Sequence, residues 1–204
     1  MGLRDILTGR HTVKGPAPDR LFAIATAYVT LQAEHGIEPA GAAAIVFQAL
    51  ATSEFESALR ETEEVVRATC GESRTTVSSE TDSYGYRWTV LRNPAGAASV
   101  EDLAVGINAV SSSIETAGHG ERLLCAVFAF TQAAAGGAQQ SRIYFIYNYK
   151  RGYWYPFVPA GARDSDQAEQ RSTERELQLK AQIASELPIE PEIERWFPLW
   201  GIPI

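Results

Sequence analysis

The chain is poor in the side chains on which most enzyme chemistry depends. Its 204 residues include 3 histidines, 2 cysteines and 1 methionine. His11, His35 and His119 are scattered, no two of them at i,i+4 spacing, and there is neither an H-E-x-x-H nor a cysteine cluster, so no zinc-type ligand set is legible. His35 and His119 stand beside glycines at helix ends, where imidazole serves as a C-terminal polar cap. Cys70 and Cys125 lack C-x-x-C spacing and read as reduced thiols, Cys125 as a small core hydrophobe. No G-x-S-x-G, no phosphate-binding loop and no G-x-G-x-x-G after a strand occurs, which removes the usual signatures of acyl transfer and nucleotide chemistry. Glu80 and Asp82 are two acids near a turn, too common a pair to signal glycoside hydrolysis. The acidic run Glu61, Glu63 and Glu64 is dispersed around a helix and reads as a solvated face. The reading is of no catalytic residue, no metal site and no cofactor.

Positive charge and long apolar runs are also scarce. With 18 basic against 25 acidic side chains the net charge is -7, a field that repels phosphate backbones and anionic lipid. Nucleic acid is disfavoured as a partner. The first fourteen residues alternate charged and apolar groups and lack the roughly 7–15-residue apolar core of a secretory signal, so the expected location is cytoplasmic. The longest uncharged stretch, 123–141, holds one dense apolar run at 123–130 before glutamines and glycines intervene. That is well short of the about 20 residues a membrane span needs. The N-terminal M-G-L-R-D-I-L has few apolar residues and no Lys/Arg cluster, which leaves at most peripheral membrane contact. What remains is ordinary globular composition, 45% apolar and 21% charged, enough for a single domain over 1–204.

The periodicity predicts a helix from an Asp19 cap to Gly36, a turn at 39–41, and a strand over 43–50. A second helix starts at Ser53 with Glu56 as its capping box, buries Phe55, Leu59, Thr62 and Val66, and closes at Gly71. Period two then takes over at 75–91, interrupted by Asp82, Ser83 and Gly85, which marks a hairpin. Ser99 caps a third helix with Leu103, Ile107, Val110 and Ile114 on one face. Three strands at 122–132, 142–149 and 153–157 follow as an antiparallel meander. Thr173 and Glu176 form a capping box for a last helix with Leu177, Ile183, Ala184 and Leu187 on its stripe, ended by Pro188. The expected fold class is therefore α+β, an antiparallel sheet with helices packed against it, arranged as two similar helix-strand blocks. Residues 1–17 read as an N-terminal extension. The tail 189–204 carries Trp196, Phe197, Leu199, Trp200 and Ile202, too much apolar surface to leave in water, and is expected to dock on its own domain.

The most unusual stretch is Y-F-I-Y-N-Y-K-R-G-Y-W-Y-P-F at 144–157. Its aromatics around Lys150 and Arg151 suit either sheet packing or a protein interface, where aromatic residues and arginine dominate binding energy. Arg151-Gly152-Tyr153 begins like an RNA-recognition signature, but Trp154 stands where that signature has Gly or Ala.

Taken in order, D-S-Y-G-Y-R-W at 82–88, L-L-C-A-V-F-A-F at 123–130, Y-K-R-G-Y-W-Y-P-F-V-P at 149–159 and E-L-P-I-E-P-E-I-E-R-W-F-P-L-W at 186–200 resemble the PspA-associated protein B family, PspAB. M-G-L-R-D-I-L-T-G-R at the start and I-N-A-V at 107–110 are similar to it too, while 133–140 and 164–172 look like variable loops. The resemblance implies a small cytosolic protein of actinobacteria and relatives, associated with phage-shock protein A, a coiled-coil membrane-remodelling protein of envelope stress. It implies no enzymatic activity, cofactor or catalytic residue. The element order is also similar to secretion-chaperone-like folds, an analogy that bears on binding rather than on function.

The reading that results is a non-enzymatic accessory or adaptor protein of the envelope-stress response, with a protein partner such as a PspA-like scaffold. Its candidate surface combines Asp82, Tyr84, Tyr86 and Trp88 of the first hairpin, Lys150, Arg151, Tyr153, Trp154 and Tyr155 of the second, and Trp196 and Trp200 of the tail. The competing reading is an enzyme or small-ligand domain with a pocket between sheet and tail, using Asp82, Tyr84 and Arg151. Oligomeric state is left open, since an edge strand can either pair in a dimer or be covered by the tail.

Overall fold

A computed structural model of the chain describes residues 18–133, 140–160 and 170–204. The N-terminal M-G-L-R-D-I-L, His11 and most of the two variable loops lie outside the described residues. The elements, in order, are α1 (Pro18–Phe22), α2 (Ile24–His35), β1 (Ile37–Gln48), α3 (Ser53–Thr69), β2 (Thr76–Thr81), β3 (Tyr86–Arg92), α4 (Val100–Thr116), β4 (Leu123–Ala133), β5 (Gln140–Asn148), β6 (Tyr153–Phe157) and α5 (Thr173–Ile183). The strands form one continuous six-stranded sheet in the order β2-β3-β1-β4-β5-β6, antiparallel throughout. The fold is α+β, with β1 joining what the sequence order suggests are two blocks.

Helix boundaries follow local chemistry with corrections. The expected single helix from an Asp19 cap is split at Ala23 into α1 and α2, with Asp19 inside α1, and α5 buries Leu179 and Ile183 while Leu177 is exposed. The Gly36 left-handed cap returns its N–H to Gln32 and Leu31, and Ser99 Oγ accepts from Asp102 N at 3.1 Å, both where the sequence places them. The cap of α3 is Thr52 rather than Ser53, its Oγ1 accepting from Phe55 N, and Glu56 is turned instead toward Arg87. The left-handed residue after α3 is Arg74, not Gly71. At α5 the T-x-x-E pattern misleads, because Glu176 is drawn inward to Arg171 and to Val158 N.

The expected turn at 39–41 is a bulge inside β1. Pro39 pairs with Phe130 of β4, the register shifts before Ala43, and β3 joins only from Ala42, so the proline's missing N–H leaves no ladder bond unmade on the β3 side. Gly41 takes the left-handed conformation of the bulge and its carbonyl accepts from Asn93 N.

Both faces of the central strands are buried, which is why 123–130 reads as a continuous apolar run and not as an alternation. On one face Ile45, Phe47, Leu91, Phe128, Phe130 and Phe145 pack under α1 to α5 with Leu31, Phe55, Val66, Ile107 and Ile183. Gly106 lets α4 approach closely, since a Cβ there would stand 2.2 Å from Leu91 Cδ2. On the other face Ala42, Ala44, Val46, Trp88, Val127, Tyr144 and Ile146 pack with Trp196, Ile202 and Ile204 of the tail.

The tail reaches that face by first lengthening the sheet. Trp154 N donates to Pro188 O and Glu190 N to Trp154 O, a parallel bridge along the outer edge of β6. It then crosses the strands along one row. Trp200 meets Phe157 edge-on at 5.0 Å on β6, Tyr144 Oη and Arg142 of β5 donate to Ile204 O, and Arg92 of β3 donates to Pro203 O. The small Ala42 and Ala44 of β1 and Ala129 of β4 belong to the same packed layer, where large side chains would lift the tail away.

Candidate functional site

The two aromatic hairpins hold the candidate residues, and each is organised by a side-chain acceptor at its turn. In the β2–β3 hairpin Asp82 does this work. Its Oδ1 accepts from Tyr84 N and Tyr86 N, both at 2.9 Å, and its Oδ2 accepts from Trp88 Nε1 at 2.9 Å. Gly85 supplies the positive φ the turn requires, at 84°. Asp82 is thereby committed to its own hairpin. Trp88 is buried in the tail-side layer, whereas Tyr84 is 79% exposed and Tyr86 39%.

In the β5–β6 hairpin Asn148 Oδ1 accepts from Lys150 N, and Gly152 turns the chain with φ 68°. Lys150 points into water. Arg151 forms a fork with the buried Glu190 through Nε and Nη2 and reaches Glu192 at 3.2 Å, so its charge is met by the chain's own tail. Glu192 is held below the usual carboxylate range first by its hydrogen bond from Arg195, then by its attraction to Arg195 and Arg151. Tyr153 is half-buried under the Arg20 guanidinium, 5.0 Å from the ring centre. Trp154 is wholly buried, its Nε1 donating to Arg20 O at 2.7 Å. Tyr155 lies stacked on Trp196 and donates to Phe197 O. Burial pushes its hydroxyl pKa well up, and it pushes the Cys125 thiol up to about 12.

The eleven candidate residues thus divide. Trp88, Trp154, Tyr155 and Trp196 are core, Trp88 and Tyr155 in the layer that Trp196 and the rest of the tail cover and Trp154 in the helix-side layer beside α1, and in this conformation they offer no ring to a partner. Asp82 and Arg151 are paired internally. Tyr84, Tyr86 and Lys150 are exposed, while Tyr153 and Trp200 are partly so. Where a pocket between sheet and tail is expected, the described residues form a packed layer of Ala42, Val46, Trp88, Val127, Tyr155, Trp196 and Ile202.

An open cleft of about 540 Å³ lies elsewhere, beside the β1 bulge, lined by Tyr28, Gln32, Glu38, Gly41, Asn93 and Gly96. Its polar lining is already hydrogen-bonded, within the cleft or to neighbouring residues. Gln32 donates to Glu38 at 2.6 Å, Asn93 bonds Thr75 and Ser99 N, and the Tyr28 hydroxyl is raised by its hydrogen bond to Glu101. Among the described residues no three His, Cys, Asp or Glu side chains converge, and no helix is long and apolar enough to cross a membrane.

Sequence reasoning missed two buried carboxylates that fasten the tail. Glu176 is fully buried, accepts three guanidinium bonds from Arg171, and leaves Arg171 Nη1 to hold Trp196 O at 2.6 Å. Glu190 receives Arg151. Its one signal is its place in the P-I-E-P stretch at 188–191, where prolines hold the chain extended.

No curated protein and no solved structure matches the chain. The family model of PspA associated protein B does, over residues 1–204, the whole sequence. The chain belongs to the PspAB family.

Proposed function

We propose that the protein is a non-enzymatic cytoplasmic accessory of the envelope-stress response that binds a protein partner, a PspA-like scaffold, through the tip of the β2–β3 hairpin. The family's description links it to PspA, which supports a protein partner. One observation carries the choice of surface. Asp82 spends its whole carboxylate on rigidifying the turn, and the turn holds Tyr84 and Tyr86 out in water. Tyrosine rings held in place before contact lose little entropy on binding, the condition under which aromatic residues become binding hot spots. Lys150, at the other hairpin, is available to an acidic group of the partner.

The test is a titration of the purified chain against a purified PspA-like protein. The Tyr84→Ala, Tyr86→Ala double variant should bind about tenfold or more weakly, with circular dichroism unchanged. Absence of binding by the unsubstituted chain sinks the partner assignment. Undiminished binding by the variant sinks the surface.

A further inference from the structure

The two edges of the sheet are treated differently by the chain. At β6 the backbone is closed by the parallel bridge to 188–190. At β2 no described strand or loop pairs with the outer edge, and five of its six residues are exposed. The alternation of the ladder identifies which groups are open. Asp82 N bonds Tyr86 O, so Thr76, Ser78 and Glu80 face their β3 partners across hydrogen-bonded pairs, and the N–H and C=O groups of Val77, Ser79 and Thr81 point outward. The usual safeguards of an edge are missing from T-V-S-S-E-T. It has no proline, lysine or arginine, and its register with β3 runs without a bulge.

We propose that this edge joins a second copy of the chain, β2 against β2, antiparallel about a two-fold axis at Ser79. The open groups are spaced symmetrically about that residue, which is the condition for an isologous contact. The axis sets Ser79 opposite Ser79 of the second copy, Val77 opposite Thr81 and Ser78 opposite Glu80. Small and β-branched side chains meet, and the strand's single charge never faces its equal; Glu63 of α3, which accepts from Ser79 Oγ near the axis, has its charge met by Arg67 at 3.0 Å. This matters for a chain of net charge -7, whose copies otherwise repel. The product is a twelve-stranded antiparallel sheet whose outer edges are both closed by their own tails.

This inference concerns the chain alone and is tested without any partner. Sedimentation and light scattering should give twice the chain mass at the highest soluble concentration. Ser79→Pro should return the chain mass, since it removes an outward N–H and leaves the β2–β3 ladder whole; Ser79→Ala, which loses only the hydroxyl's bond to Glu63 of α3, should remain a dimer. Ser79→Cys should cross-link on mild oxidation, because a hydrogen-bonded antiparallel pair sets the two Cα atoms about 5.5 Å apart, within disulfide reach. Ser78→Cys should not, being offset along the strand. A monomer at every concentration, a dimer unaffected by Ser79→Pro, or equal cross-linking of the two cysteine variants overturns the proposal.

Discussion

The β2–β3 and β5–β6 hairpins start from nearly the same materials and end in opposite environments. Each has a side-chain carbonyl or carboxylate accepting backbone N–H groups at its turn, Asp82 in one and Asn148 in the other, and each turns on a glycine with positive φ. Each is rich in aromatic residues. Yet Trp154 and Tyr155 are buried while Tyr84 and Tyr86 are not. The difference does not lie in the hairpins. It lies in distant segments: α1 and the helix-side core cover Trp154, and the sixteen or so residues after Pro188 pair with β6, cover Tyr155, cross the sheet, and stop at the Arg92 end of β3 without reaching the Tyr84 turn. An aromatic hairpin therefore becomes core or surface according to where a distant segment is anchored.

Four measurements test this contrast, the first with the greatest change. Trp154→Ala should cost about 3–5 kcal/mol in urea unfolding, because it opens a cavity in the helix-side core and orphans Arg20 O. A smaller loss would mean that the tail and α1 collapse onto the gap. Alkali should come next. The Cys125 thiol, raised by burial to about 12 from 9.0, is neutral in the folded chain where the unfolded chain would ionise. Its contribution is intact below pH about 9 and is lost as pH climbs toward about 12, at about 1.4 kcal/mol per unit. Tyr149 and Tyr155, raised by burial in the same sense, steepen the decline above pH about 10. Urea midpoints measured at successive pH values should fall accordingly, and less steeply in Cys125→Val.

Asp82→Ala should cost about 1–2 kcal/mol by leaving Trp88 Nε1 and two turn amides without their acceptor, and hydrogen exchange at Tyr84 and Tyr86 should quicken with it. Unchanged exchange would show that Gly85 alone holds the turn. Tyr84→Ala should move stability by no more than about 0.5 kcal/mol, since the ring touches water on most of its surface. A loss near that of Trp154→Ala would erase the contrast.

Local chemistry made much of the fold legible. Apolar spacing located the helices, the Gly36 and Ser99 caps, the hairpin at Asp82-Ser83-Gly85 and the β4–β5–β6 meander, because each depends on residues a few positions apart. Errors arose where a local pattern was claimed by a distant group. Pro39 and Gly41 look like a turn but serve a bulge, since β4 continues beside them after β3 has ended. Thr173 and Glu176 look like a capping box, but a buried carboxylate with a guanidinium within reach gains more from that pair than from one amide at a helix end.

The candidate surface was legible in composition and not in position. Sequence alone determined the α+β class, the family and the turn that presents Tyr84 and Tyr86, for these are written in neighbouring residues and in ordered motifs along the chain. Tertiary structure alone decided that Trp88, Trp154, Tyr155 and Trp196 are core, that Arg151 is neutralised by Glu190 and Glu192, and that β6 is closed while β2 is open. Burial and ion pairing are properties of what lies across from a residue in space, and along this chain the answer to Arg151 stands 39 residues away.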